Sequence, residues 1–370
     1  SSMNPALERF TQFAGDMFML VPPDAPAALF CGAMFSVGGQ RFPAGAADID
    51  PQRAKIRCLG EVAETIAQFV SPDDLAVLPA GSGLDANELR ALELLSAGAD
   101  GPWLAATRLS GGQPVSIPAN LCLRSVDGVA TKVSSLGCAA GETRETAIRS
   151  ALFELIERDA VALWWQGGVP PLEIPESSLA EARSVLELAR QGKTGRVTRF
   201  LALQSISHVP VVCTVSSGAD GKSVALGFGA AESFAAATIK SLMELLQMEV
   251  GNRMVSMKVE RQGAANLSSA DAEIWQRMLV FDAFALPFQP YGKVAVAPDF
   301  PDATIAEKLA IKGIQVYATD LYRDTNALPV VKLIAPGLQP LPGKLETERL
   351  AHAKKTHMNR LRHFPKVAVL

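Results

Sequence analysis

Three glutamates, Glu61, Glu154 and Glu244, recur about 90 residues apart in segments that share a helical spacing. Seven residues before each stands Ala54, Ala147 or Ala237; three before, Cys58, Ala151 or Ser241; two before, Leu59, Leu152 or Leu242. Three residues after, each segment offers another oxygen-bearing side chain: Glu64, Glu157 or Gln247. On a helix, the positions three and seven residues earlier share the glutamate's stripe, so each carboxylate looks back along small side chains that let another body come close. A solvated stripe would carry Lys, Glu, Gln and Arg, whereas Glu154 is surrounded by Ala147, Ser150, Ala151 and Val161.

Alone, a pair such as Glu154 and Arg158 reads as an exposed i,i+4 ion pair. The threefold recurrence argues otherwise. Carboxylates leave bulk water only at a cost that cations or strong donors must offset. Five glutamates and a glutamine converging from three helices would repel one another, with only Arg158 among them as a counter-charge. Hard divalent cations resolve this, because magnesium prefers oxygen ligands and completes its shell with waters and nucleotide phosphates. The residues therefore predict a Mg2+–triphosphate site lined by Glu61, Glu64, Glu154, Glu157 and Glu244, with Arg158 available for a phosphate.

Ahead of the central helix, SSLGCAAGETRETA supplies Ser134, Ser135, Gly137 and Gly141 and ends at Thr143, a helix cap. Such a run can lay backbone N–H groups against a phosphate. It is not a P-loop: the only GKS, Gly221–Ser223, has Ser216 where that motif needs glycine and lies in a hairpin turn. The four histidines form no HExxH, no GxSxG is present, HAKKTHMNRLRH reads as a basic surface segment, and Trp164 and Trp165 read as packing.

The elements that must position these groups alternate between β-like and helical runs, so the expected class is α+β (mixed α/β). Helices are expected at Pro51–Phe69, Ala86–Ser96, Thr143–Trp165, Pro175–Gln191, Glu232–Asn252, Ala270–Phe281 and near Glu346–Arg362. Strands are expected at Val115–Pro118, Val197–Leu203, Ile314–Thr319 and Pro329–Ile334, with a hairpin formed by Pro210–Val215 and Ser223–Phe228. No low-complexity linker divides the chain.

Its 370 residues, 48% of them hydrophobic, can bury a substantial core, and a net charge of −3 disfavours nucleic acid and anionic membrane as partners. Five scattered cysteines without CxxC spacing argue against a disulfide framework or thiolate zinc site and fit a reducing cytoplasm. Ser1 and Ser2 read as a tag scar, and neither a leader peptide nor a span of about 20 apolar residues follows.

At SSLGCAAGETRETAIRSALFELIERDA the sequence closely resembles the YcaO family. The likeness continues through SVGGQRF, AKIRCLGEVAETIAQF and PWLAATRLSGGQPVSIPA upstream, and through GFGAAESFAAATIKSLMELLQ and GIQVYATDLYRDTNALPVVKLIAPGLQPL downstream. The resemblance implies residues 25–370 as one YcaO-like catalytic domain after an N-terminal extension, 1–24. It implies ATP and Mg2+ as cofactors without a P-loop, bound by Glu61, Glu64, Glu154, Glu157, Glu244 and Gln247, with Arg158 on a phosphate and Ser36 and Ser135 on the nucleotide. Glu154, Glu157 and Arg158 become the catalytic set.

The implied reaction is ATP-dependent activation of a peptide backbone amide in a ribosomal peptide or protein. Sulfide as nucleophile gives a thioamide, a Cys, Ser or Thr side chain an azoline, and an amine an amidine. Azoline-forming members commonly carry a PxPxP tail, whereas RHFPKVAVL has only Pro365, which places thioamidation ahead of cyclodehydration. SVGGQRF carries Gln40 where the family often has lysine. The resemblance also implies a peptide or protein substrate, a separate TfuA-type or peptide-recognition partner, and a homodimer. A reading of another class is a non-catalytic nucleotide- or peptide-binding scaffold, which would have no need of so much convergent negative charge.

Overall fold

The computed structural model describes residues 3–12, 15–97, 100–295, 304–322 and 328–370. Ser1 and Ser2, and residues 323–327 of the downstream YcaO-like stretch, lie outside them.

The first layer is an antiparallel sheet of β1 (Asp16–Leu20), β2 (Leu29–Val37) and β3 (Gln40–Asp48), in that order. The β2–β3 register runs from Val37 opposite Gln40 to Leu29 opposite Asp48. Helix α1 (Pro51–Ala67) starts directly afterwards: the Asp50 carboxylate accepts from Gln52 N–H, and Pro51 occupies a first-turn position where no donor is lost. Ala54, Cys58, Leu59, Val62 and Ala63 make its apolar stripe, buried against Cys31, Ala33, Phe35 and Ala44. Leu7 joins this core, and β1 extends the same sheet.

Helix α2 (Arg144–Trp165) is capped by Thr143, whose hydroxyl accepts from Thr146 N–H. It is buried almost all round, as expected of a helix central to a fold rather than lying on it. Its C-terminal end forms an aromatic cluster in which Trp164 donates to Pro287 O and Trp165 to Val367 O. Trp164 and Trp165 pack on each other and on Phe288, with Phe228, Phe281 and Phe364 around them.

Two further sheets flank α2. One contains β4 (Trp103–Arg108), β5 (Cys138–Ala140), β6 (Tyr317–Asp320) and β7 (Val330–Ile334), in the order β4–β6–β7–β5. The other follows Leu172–Glu173 with β8 (Val197–Leu203), β9 (Val211–Ser217) and β10 (Ala225–Ala230), the last two forming the expected hairpin. Helix α3 (Ala180–Arg190) and the 29-residue α4 (Phe234–Gln262) pack beside this sheet. A Cβ at Gly227 would stand 2.1 Å from Ser241 O and one at Gly229 2.6 Å from Ala237 O, so only glycines let α4 lie this close to β10.

The mixed α/β class and the main helices match the sequence expectation. α4 runs ten residues beyond Asn252, because Gly251 sits inside a helix already held by packing on both sides. The helix expected at Pro175–Gln191 opens as a 3-10 turn, Glu176–Ser178, before α3. The one near Glu346–Arg362 is divided at His357, whose backbone leaves the helical region.

Candidate active site

Each recurrent glutamate shares its helix face with the buried small residues three and seven positions earlier and is held by a backbone N–H of a facing strand or its lead-in. Glu61 Oε2 accepts from Gly45 N at 3.0 Å, Glu64 Oε1 from Ala140 N at 3.1 Å, and Glu154 Oε1 from Gly137 N at 3.3 Å. Glu244 accepts from the Phe228 backbone. α1, α2 and α4 thus deliver carboxylates onto elements of all three sheets. Gly137 is required as glycine: its φ is +78° and a Cβ would meet Leu333 O at 2.5 Å.

The carboxylates feel one another. Burial pushes all five upward from the ordinary range, with Glu61 raised to about 7 and Glu157 to about 8. Neighbouring charges add to this, Glu244 on Glu157, Glu154 on Glu61, and Glu61 and Glu154 on Glu64. Glu157 is only 8% exposed and Glu61 is exposed, with Glu64, Glu154 and Glu244 half-buried between these extremes, so the set runs from the surface inward.

Arg158 lies in the same set. Its Nη1 donates to Leu341 O at 2.9 Å and its Nε stands 3.6 Å from Glu157 Oε2, too far for a hydrogen bond, so this buried Nε–H has no acceptor. Two further cations, not singled out from the sequence, complete the rim: Arg57, donating to Ala47 O, and Lys240, donating to Ala230 O. Both act electrostatically on the carboxylates. Their signal was present in the sequence, since each stands four residues before a recurrent glutamate, where Ser150 stands in α2.

The other expected positions spread outward. Gln247 is half-buried one turn beyond Glu244 on α4. Ser135 is exposed, and its carbonyl accepts from Cys138 N beside Gly137. Ser36 is exposed near the tip of β2. It is four strand residues from Gly32, which pairs with Gly45, or roughly 13 Å at 3.3 Å per residue, so a ligand touching both Ser36 and the carboxylates must be elongated.

The donor set fits Mg2+ and a polyphosphate. Its groups are hard oxygens that burial makes costly to ionise without a cation, and the orphaned Arg158 Nε suits a phosphate oxygen. Among the described residues no three acidic, histidine or cysteine groups form a ready-made metal cage. Magnesium sites of one or two carboxylates completed by phosphates need none. The five free cysteines are all buried, and among the described residues no helix is long and apolar enough to cross a membrane.

The family description "YcaO cyclodehydratase, ATP- and Mg2+-binding" matches residues 44–339. Comparison with curated proteins gives no match. Among solved structures, a heterocyclase in complex with substrate and cofactor is similar with a TM-score of 0.72 and 18% identity, over 98% of this chain and 57% of that one. YcaO from Methanopyrus kandleri bound with AMPPCP and Mg2+ gives 0.64 and 21%, over 90% and 88%. The E. coli microcin synthetase McbBCD complex with pro-MccB17 bound gives 0.59 and 16%, over 87% of each chain. This chain therefore spans little more than half the length of the heterocyclase.

Proposed function

The chain belongs to the YcaO family, which binds ATP and Mg2+, and from that premise we propose that it is an ATP-dependent enzyme that activates a backbone amide of a ribosomal peptide or protein. The observation that carries this reading is the convergence of Glu61, Glu64, Glu154, Glu157 and Glu244 around an Arg158 that lacks an acceptor at Nε. Residues 25–370 act as one catalytic unit, to which β1 adds an edge strand.

ATP supplies the phosphoryl group that turns the amide oxygen, a poor leaving group, into a good one. The chain's own work is positioning and charge stabilisation. The five glutamates hold Mg2+, with Gln247 as a further oxygen donor. Arg158, anchored through Leu341 O, aims its remaining N–H groups at a phosphate, and Arg57 and Lys240 add positive charge at the rim. Ser36 and Ser135 contact the nucleotide beyond the triphosphate. Glu157, raised to about 8, keeps its proton until a cation arrives and so brings charge into the site with the metal rather than before it, and burial pushes Glu154 in the same direction.

Thioamidation is the favoured product and azoline formation the next. The segment RHFPKVAVL holds a single proline and packs at the far end of α2: Phe364 and Val369 are buried and Val367 O accepts from Trp165, eight residues or about 12 Å along the helix from Glu157. A TfuA-type or peptide-recognition partner delivers the substrate, and the active form is a homodimer; the similar McbBCD structure is itself a complex.

Isothermal titration of ATP with Mg2+ tests the site. The wild type binds and the Glu154→Ala, Glu157→Ala double variant does not; equal binding by both would overturn the assignment. Mass spectrometry of co-expressed precursor peptides separates the products, through exchange of oxygen for sulfur or loss of one water.

A further inference from the structure

A cavity of about 650 Å³ lies back to back with the carboxylate site. None of the five glutamates lines it. Its walls are largely apolar, with Trp103, Leu121, Val126, Val133, Leu338 and Leu345 among them, and Asp100, Asp127 and Lys132 stand along its lining without a strong net charge. Nothing in this lining suits a triphosphate. Volume and composition fall in the range of sites that take apolar groups, about 300–1,000 Å³.

The partition between cavity and carboxylates is thin. Ser134, Leu136, Leu155 and Lys332 all face the cavity. Leu136 is followed by Gly137, whose N–H holds Glu154, and Leu155 follows Glu154 itself. Lys332, 2% exposed, braces this wall by donating to Ser134 O at 2.7 Å and Leu136 O at 2.6 Å. An apolar chamber one residue's thickness from a polyphosphate site suits a ligand that is apolar in one part and reacts in another. A peptide meets that description: two or three residues span about 7–11 Å, the scale on which a chain lying over the edge of such a wall would carry a side chain from the reacting amide into the cavity.

We propose that this cavity is the anchoring subsite for an apolar segment of the peptide substrate, a few residues away from the amide that reacts. The inference rests on the reading of the chain as a peptide-amide-activating enzyme.

The probe is N-acetyl-Gly-Leu-Gly amide whose leucine carries a photoreactive diazirine. With the full chain, adducts are expected on Leu121, Val126, Leu338 and Leu345. Excess unlabelled N-acetyl-Gly-Leu-Gly amide should suppress them at least tenfold, and N-acetyl-Gly-Asp-Gly amide should not. Val126→Trp, which fills the cavity away from every glutamate, should abolish them while leaving ATP–Mg2+ affinity within twofold. No adducts, adducts elsewhere, or equal suppression by both competitors overturns the subsite, and the competition in the wild type stands even if the tryptophan variant misfolds. A wild type that fails to bind ATP with Mg2+ would remove the functional reading instead, whereas ATP binding without cavity adducts removes only the subsite.

Discussion

Glu157 and Glu61, raised to about 8 and 7 against an ordinary 4.5, hold protons near neutrality that a bound cation must displace. Binding of ATP with Mg2+ at pH 7 should therefore release roughly one to two protons. Titration in buffers of different ionisation enthalpy reads this directly, and a buffer-independent heat would contradict it. Because these folded-state values lie above the unfolded one, the native protein binds the extra protons, and its stability declines as pH rises from about 4.5 and levels off only above about 7 to 8. The metal-free protein should melt lower at pH 9 than at pH 6. Glu157→Gln removes part of that decline: at pH 8.5 it should raise the melting temperature by about 1–2 °C. The same change should lower phosphate release by about 100-fold, as loss of a preorganised charge at the reacting centre does. A variant that melts lower at pH 8.5 would make Glu157 a structural residue.

At the scale of elements, the close seating of α4 on β10 sets the position of Glu244. Gly229→Ala would drive a methyl into the backbone of α4, costing about 1–3 kcal/mol by overpacking. Denaturant unfolding should show that loss, and nucleotide affinity should fall with it because Glu244 moves with its helix. The helices that carry the site were legible in the sequence because caps at Asp50 and Thr143 and buried stripes of Ala54, Cys58, Ala147, Ala151, Ala237 and Ser241 obey a local 3.6-residue period. The carboxylates' partners were not legible. Gly45, Ala140, Gly137 and Phe228 reach their glutamates only through docking of separate elements, which no local period encodes. β2 and β3 lack a clear strand pattern for a related reason: QRFPAGAAD is rich in Ala and Gly, poor strand formers, and LFCGAMFSV is a continuous apolar run without alternation; both become strands because Ala33 and Ala44 permit close packing against α1. Arg57 and Lys240 stand outside the threefold pattern because α2 has Ser150 at the equivalent position, so no recurrence marks them.

Across the whole molecule, the site depends on how α1, α2 and α4 are held together. One tie is the buried pair of Arg190 on α3 and Glu249 on α4, bonded at 2.8 Å, with Arg190 also donating to Asp24 O and Ser216 donating to Glu249. Arg190→Met would leave Glu249 buried with Arg196, at 3.4 Å, as its one close cation and Ser216 as its hydroxyl donor, and should cost about 3–5 kcal/mol. Calorimetry of the intact chain checks this, and saturating ATP with Mg2+ should restore part of it, about 2.7 kcal/mol at a hundredfold excess over Kd. The amide protons of Gly45, Gly137 and Ala140 each end on a different glutamate of the cluster. In an isotope-labelled sample, their resonances would serve as native reporters, one from the first sheet and two from the lead-in and the end of β5 just before α2, on how charge redistributes among the acids when nucleotide arrives.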